Sequence, residues 1–391
     1  MKHWKPYTER QKPEYNRIAL PAEVNAEVIV VIPCFNEPAL FDTLHSLRAT
    51  VRPNVNLLTV IVFNSGEQSD EKGVLQNRLS YEQTLLFAEK YNEPGFHFFS
   101  LLFERLPRKH AGVGLARKIG MDLAVTHFLH NNNPGGIIIS LDADCTVSDH
   151  FLDSIYNAFS ADNSLNVTLH NFFHRVEMDD LLPVHAVRQY EDYIRYYREM
   201  LRQTGFPYYY HTIGSAFAVA ADAYVRVGGM GRQQGGEDFY FLQKVFALGN
   251  VKELNDTFVY PMARLSQRVP FGTGPALQKI MEEPDGIMRV YSRKSFYELK
   301  RLFGMKDSFF GMKSEDVNVM ITELDSSLVD FLQMTGFIDE VADCNRNSAS
   351  LATFQKRFFQ HFNAFRIIKY LNYSHPDPFL YEKISNVVDK C

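Results

Sequence analysis

Four apolar runs, at residues 28–32, 57–63, 96–102 and 137–141, alternate with stretches of helical spacing, and that alternation constrains the fold more than any other feature. The runs are predominantly apolar, broken only by Thr59, His97, Ser100 and Ser140, as expected of strands covered on both faces. The intervening segments are helical in pattern: Leu40, Leu44 and Leu47 mark the first, and 81–90 and 115–129 follow. Strands separated by helices imply a mostly parallel sheet with helices on both sides, so the fold class is α/β.

The rest of the chain is less regular. Residues 1–25 are polar and carry Pro6, Pro13 and Pro21, which reads as an extended lead-in. The first strand ends at Pro33 in this reading. After residue 160 come a strand pattern at 165–169, a charged, aromatic helix around 188–202, three tyrosines at 208–210 and a short strand at 216–220. Glycine and proline at 271–275 mark a boundary, and 276–391 reads as mainly helical. A length of 391 residues accommodates a large unit, 26–270, and a smaller one, 271–391.

A net charge of −5 argues against a nucleic-acid protein. Cys34, Cys145, Cys344 and Cys391 show no metal-binding spacing and fit reduced thiols. No apolar run reaches the roughly eighteen residues that span a bilayer, and the start lacks a signal-peptide core, so a cytoplasmic location is expected. With 32 Phe and 20 Tyr the chain has either aromatic-lined surfaces or an unusually aromatic core. The same choice arises at Lys356, Arg357, Phe358, Phe359, Phe362, Phe365, Arg366 and Lys369. This aromatic-basic stretch suits peripheral contact with the inner face of a membrane, or the packing of a small helical domain.

The chemistry-bearing residues cluster at the ends of these elements. Asp142-Ala143-Asp144 follows the run 135–141 and places two carboxylates at a strand end, where open α/β sheets collect ligands. Such a pair can hold Mg²⁺ or Mn²⁺ against phosphate oxygens; it can equally cap the helix suggested at 151–155. Asn36 and Glu37 follow the first strand at the same edge, with groups suited to a nucleobase and ribose. Gly112-Val113-Gly114 runs into a helix bearing Arg117, near Arg108 and Lys109, and reads as an anion site or as a solvated basic turn. Gly236-Glu237-Asp238 opens an apolar helix. Asp238 is the candidate general base, with a first-turn acid favoured by the helix dipole as the alternative.

In this order the segments resemble the family 2 glycosyltransferases, inverting enzymes of the GT-A fold. The likeness rests on Pro33 to Glu37, Gly112 to Gly120, Asp142 to Asp144 and Gly236 to Asp238, and covers residues 27–270. It implies a Rossmann-like sheet flanked by helices and a UDP- or GDP-linked sugar donor. Pro33, Asn36, Glu37, Asn64, Arg117 and Asp142 would lie on the donor side, with Asp144 holding Mg²⁺ or Mn²⁺. Ser215 and Glu237 would lie towards a carbohydrate or lipid-linked acceptor, whose hydroxyl Asp238 would deprotonate.

Departures from the family pattern matter. Asn64 stands where the family usually carries Asp, and Lys118 replaces its Asn. The Gln-x-x-Arg-Trp motif of processive synthases is missing, Trp4 being the one tryptophan, so transfer of single sugars is expected. Arg264 and Arg268 fall where a mobile loop could bring one of them to the diphosphate. A nucleotidyltransferase or a non-catalytic sugar-nucleotide-binding protein are the competing readings.

Overall fold

A computed structural model describes residues 2–11, 18–176, 183–265 and 272–388. The chain divides into two compact units, one of residues 1–180 with 212–263 and the other of 181–211 with 264–391.

The first unit is built on an eight-stranded sheet. Its strands are β1 (Val28–Cys34), β2 (Leu57–Gly66), β3 (Phe96–Leu106), β4 (Ile137–Ser140), β5 (Cys145–Val147), β6 (Val167–Phe172), β7 (Phe217–Ala220) and β8 (Val251–Pro261). They lie in the order β3-β2-β1-β4-β7-β6-β8-β5. The pairings β1–β2, β2–β3, β1–β4 and β6–β8 are parallel, whereas β4–β7, β6–β7 and β5–β8 are antiparallel. The sheet is therefore mixed, with its parallel half formed by the four runs that open the chain.

Register explains where the site lies. Because β1 and β4 run parallel, with Val31 opposite Ser140, the segments after both strands leave the same edge. Antiparallel β7 places Phe217 opposite Ser140, which delivers Gly214 and Ser215 to that edge from the other direction. The Ser140 hydroxyl donates to the Gly214 carbonyl at 2.6 Å and fastens the two segments. β1 continues through Pro33 to Cys34 instead of ending at the proline. Its pairing with β4 stops at Val31, so the N–H that proline lacks has no ladder partner to lose on that side.

The helix Val113–His130 lies directly on β1 and β2. Gly120 makes this contact: a Cβ there would meet Val31 Cγ1 at 2.4 Å and Val62 Cγ2 at 3.2 Å. A larger residue would lift the helix off the sheet and carry Arg117, one turn earlier, away from the edge.

Within the expected extended lead-in, Trp4–Glu9 forms a helix. Trp4 is fully buried, and its Nε1–H donates to Asp222 Oδ1 at 2.9 Å, while the Tyr7 hydroxyl donates to Asp122 Oδ1 at 2.6 Å. Lys118 pairs with the same Asp122 at 2.8 Å, which gives the residue that replaces the family asparagine a local structural role.

The second unit is mainly helical: Val184–Gln203 joins Thr273–Glu282, Arg293–Met305, Ser314–Ile321, Ser326–Met334, Phe337–Arg346, Leu351–His361 and Ala364–Tyr373. Its core is aromatic. Phe358 packs against the rings of Phe303, Phe309, Phe337 and Phe362, and all five are buried. Arg366 is buried too, its guanidinium on Glu340 and, at 2.5 Å, on the Thr335 hydroxyl. The aromatic-basic stretch thus turns Phe358, Phe359 and Phe362 inward, as the packing of a helical domain requires, while Phe365 is exposed. No helix among the described residues is long and apolar enough to cross a membrane. Cys34, Cys145 and Cys344 are all buried.

Candidate active site

Arg117 is the centre of the site. Only 2% exposed, it donates through Nη1 to Glu237 and through Nη2 to Asp142 Oδ1 at 2.5 Å. Burial works against its charge, but Asp142, Glu237 and Asp238 outweigh that and hold the guanidinium firmly protonated. One planar fork thereby ties the turn after β4 to the start of the helix Glu237–Phe246. Carboxylates thus engage both ends of the fork, while the buried Nε–H has no partner among the described residues.

Asp142-Ala143-Asp144 forms a turn between β4 and β5, with Cys145 N–H bonded to the Asp142 carbonyl at 3.2 Å. The helix Phe151–Ala161 begins well beyond it with His150 at its cap, so neither aspartate serves as its N-cap. The Thr43 hydroxyl holds the turn through the Ala143 carbonyl at 2.9 Å. Asp142 is 38% exposed along its side chain and commits Oδ1 to Arg117. Asp144 is partly exposed and receives a long contact from the Cys145 thiol, 3.5 Å. Cys145 is buried beside both aspartates, and desolvation followed by their charge keeps the thiol protonated.

Glu237 and Asp238 divide sharply in environment. Glu237 is 2% exposed and bound to Arg117. Asp238 is half-buried, and Oδ1 accepts the Phe239 N–H at 2.7 Å. Desolvation, then the neighbouring Glu237, pushes the Asp238 carboxyl up to about 7. That range suits a general base working near neutrality. Asp238 is thus both a first-turn acid and a group whose affinity for a proton fits catalysis.

The remaining candidates line the same edge. Pro33 is buried at the end of β1. Asn36 has a left-handed backbone, φ 48°, and its N–H donates to Asn77 Oδ1 at 3.0 Å. Asn77 Nδ2 donates in turn to the Asn64 carbonyl at 2.9 Å, and Asn64 Nδ2 reaches the Gly112 carbonyl at 3.4 Å. Glu37 is buried and accepts the Ala39 N–H at 3.0 Å, ahead of the helix Leu40–Ala49. Ser215 is buried at the mouth of β7. Arg268 lies outside the described residues. Asn77 had no place in the sequence reading; its signal would have been a buried amide on the polar face Gly73, Asn77, Ser80, Thr84 of the helix Glu71–Tyr91.

A model of the family described as glycosyl transferase family 2 matches residues 29–226, half of the chain. The chain belongs to glycosyl transferase family 2. As a member of that family it is a glycosyltransferase. Comparison with curated protein sequences gives no match. Among solved structures, S. aureus TarS 1–349 in complex with UDP-GlcNAc is similar at 12% identity with a TM-score of 0.42, covering 87% of this chain and 91% of that one. TarS 1–349 without a named ligand gives 14% and 0.41, with coverage of 87% and 91%. A further S. aureus TarS structure gives 11% and 0.40, covering 89% of this chain and 55% of that one.

Within this glycosyltransferase, the glycine loop before Arg117 has a steric role. Gln234 Nε2 donates to the carbonyls of Arg108, 2.7 Å, and Ala111, 3.2 Å, and a Cβ on Gly114 would stand 2.1 Å from the Gln233 carbonyl oxygen. Gly114→Ala therefore sets helix propensity against a backbone collision. Alanine gains about 1 kcal/mol in a helix, whereas overpacking costs about 1–3 kcal/mol. A net loss of stability is expected in urea unfolding, together with reduced transfer as Glu237 is displaced. An unchanged midpoint would show that the 233–234 segment yields without cost.

Proposed function

We propose that the chain is a metal-dependent, inverting glycosyltransferase that moves a single sugar from a nucleoside diphosphate sugar to an acceptor hydroxyl, in cell-surface glycan or glycolipid synthesis. The observation that carries this reading is the bridge of Arg117 between Asp142 and Glu237, which sets a donor-side turn beside the acid Asp238.

Each residue then has a task. Asp238 takes the proton of the acceptor hydroxyl as that oxygen attacks the anomeric carbon. A single displacement from the face opposite the leaving group inverts that centre. Glu237, locked on Arg117, keeps the helix start in place and lies on the acceptor side with Ser215. Asn36 and Asn64, joined through Asn77, form with Glu37 the floor for base and ribose.

The donor set suits a hard cation. Such ions take one or two carboxylates and complete their shell with water and substrate phosphate. Among the described residues no group of three or more His, Cys, Asp or Glu forms an all-protein cage. Asp144 is the ligand of choice because Asp142 has already committed an oxygen to Arg117. Mg²⁺ or Mn²⁺, when bound, neutralises charge on the departing diphosphate.

Hydrolysis of UDP- and GDP-sugars with and without Mn²⁺ tests the proposal. Cleavage that requires Mn²⁺, and that is lost more completely in Asp144→Ala than in Asp142→Ala, is the expected result. Tight nucleotide binding without cleavage of any donor would show a binding protein, and equal metal dependence in the two variants would remove the division between the aspartates.

A further inference from the structure

The helical unit contains a cavity of about 210 Å³ lined by Tyr193, Tyr291, Tyr381, Asn372, Lys279 and Glu283 among others. Tyrosine rings form its walls: Tyr291 and Tyr381 lie 5.9 Å apart between ring centroids and are inclined by 39°. Burial, reinforced by Tyr291 and Tyr197, pushes the Tyr193 phenol well up, so it stays a neutral O–H donor. The Tyr291 hydroxyl donates to Asn372 Oδ1 at 2.6 Å, which orients the amide and leaves its NH₂ as a donor.

These features match the chemistry of a sugar ring. A pyranose has an apolar C–H face that packs on an aromatic ring, and a rim of hydroxyls that both donate and accept. The cavity offers ring faces, phenol and amide donors, the Lys279 ammonium and the Glu283 carboxylate. A phosphate or anionic headgroup fits less well. Arg289, the guanidinium at the cavity, is spent on Asp285 at 3.1 Å and faces Glu283 at 3.8 Å, which leaves little uncompensated positive charge.

We propose that this cavity binds a neutral sugar residue of a glycan. Its service as a holding site for the acceptor glycan rests on the transferase reading; the binding itself does not.

Saturation-transfer NMR on the full chain tests the proposal, using the methyl glycosides of glucose, galactose and N-acetylglucosamine, with UDP as a separate probe. At least one glycoside should receive saturation, and Tyr381→Ala and Asn372→Ala should each weaken its binding about tenfold while UDP signals stay unchanged. Tyr193→Phe removes only a hydroxyl and supplies a variant that preserves packing; it should weaken the same glycoside. No transfer to any glycoside, or transfer unaltered in all three variants, would overturn the assignment. Assaying UDP- and GDP-sugar cleavage on the same protein separates the two readings. Glycoside binding without cleavage keeps the cavity and removes the transferase mechanism, whereas cleavage without glycoside binding removes the cavity alone.

Discussion

Asp238→Asn is expected to lower glycosyl transfer by about 10²–10⁴-fold, the usual contribution of a positioned general base, while leaving donor affinity nearly unchanged. The reason is environmental. Glu237 and Asp238 are adjacent acids at one helix start, but Glu237 is enclosed and held by Arg117, whereas Asp238 is partly open and accepts a backbone N–H from Phe239. Equal losses for Glu237→Gln and Asp238→Asn in both turnover and pH dependence would sink this assignment.

The pH dependence follows with a definite sign. The Asp238 carboxyl is pushed up to about 7, first by desolvation and then by Glu237. A base must be ionised to act, so kcat/KM should rise with pH through about 7. Stability runs the other way. An unfolded aspartate titrates near 4, so the folded state binds this proton more tightly; the resulting stabilisation is fully present below pH 4 and lost as pH rises through 7. Asparagine never ionises at this position. The Asp238→Asn variant should therefore gain in Tm relative to the parent between pH 4 and 8, a readout independent of turnover.

The parallel half of the sheet was legible because β1, β2 and β4 are short, β-branched and buried on both faces, and length and β-branching separate such runs from buried helix. The helix Glu71–Tyr91 was only half legible. Its buried face is Gly73, Asn77, Ser80, Thr84 and Phe87, while Leu75, Leu79 and Leu86 are exposed, so the apolar period points the wrong way. β5 is three residues long, and β8 carries Lys252, Glu253, Asn255 and Asp256, which obscured the mixed half of the sheet. At the site, residue type and motif spacing singled out Asp142, Asp144, Glu237 and Asp238 as candidates. They could not reveal what Arg117 does, because its partners lie 25 and 120 residues away and meet only through the register of β1 and β4 and the close approach at Gly120.

Arg117→Met should cost about 3–5 kcal/mol, as expected when one partner of a buried ion pair is removed and charge is left uncompensated. Two carboxylates lose their donor at once, and Asp238 loses the cation that restrains its rise. Residual activity should accordingly show its ascending pH limb above 7. Arg117→Lys keeps the charge but not the fork, since one ammonium cannot reproduce the two parallel donors that span Asp142 and Glu237; an intermediate loss with a smaller shift of the limb is expected. Glu237→Gln combined with Arg117→Met tests the cause. It removes the stranded buried charge and should recover part of the stability without restoring turnover, giving a non-additive cycle. Additive losses, or a pH limb that stays near 7 in Arg117→Met, would show that the guanidinium neither couples the two acidic segments nor sets the proton affinity of the base.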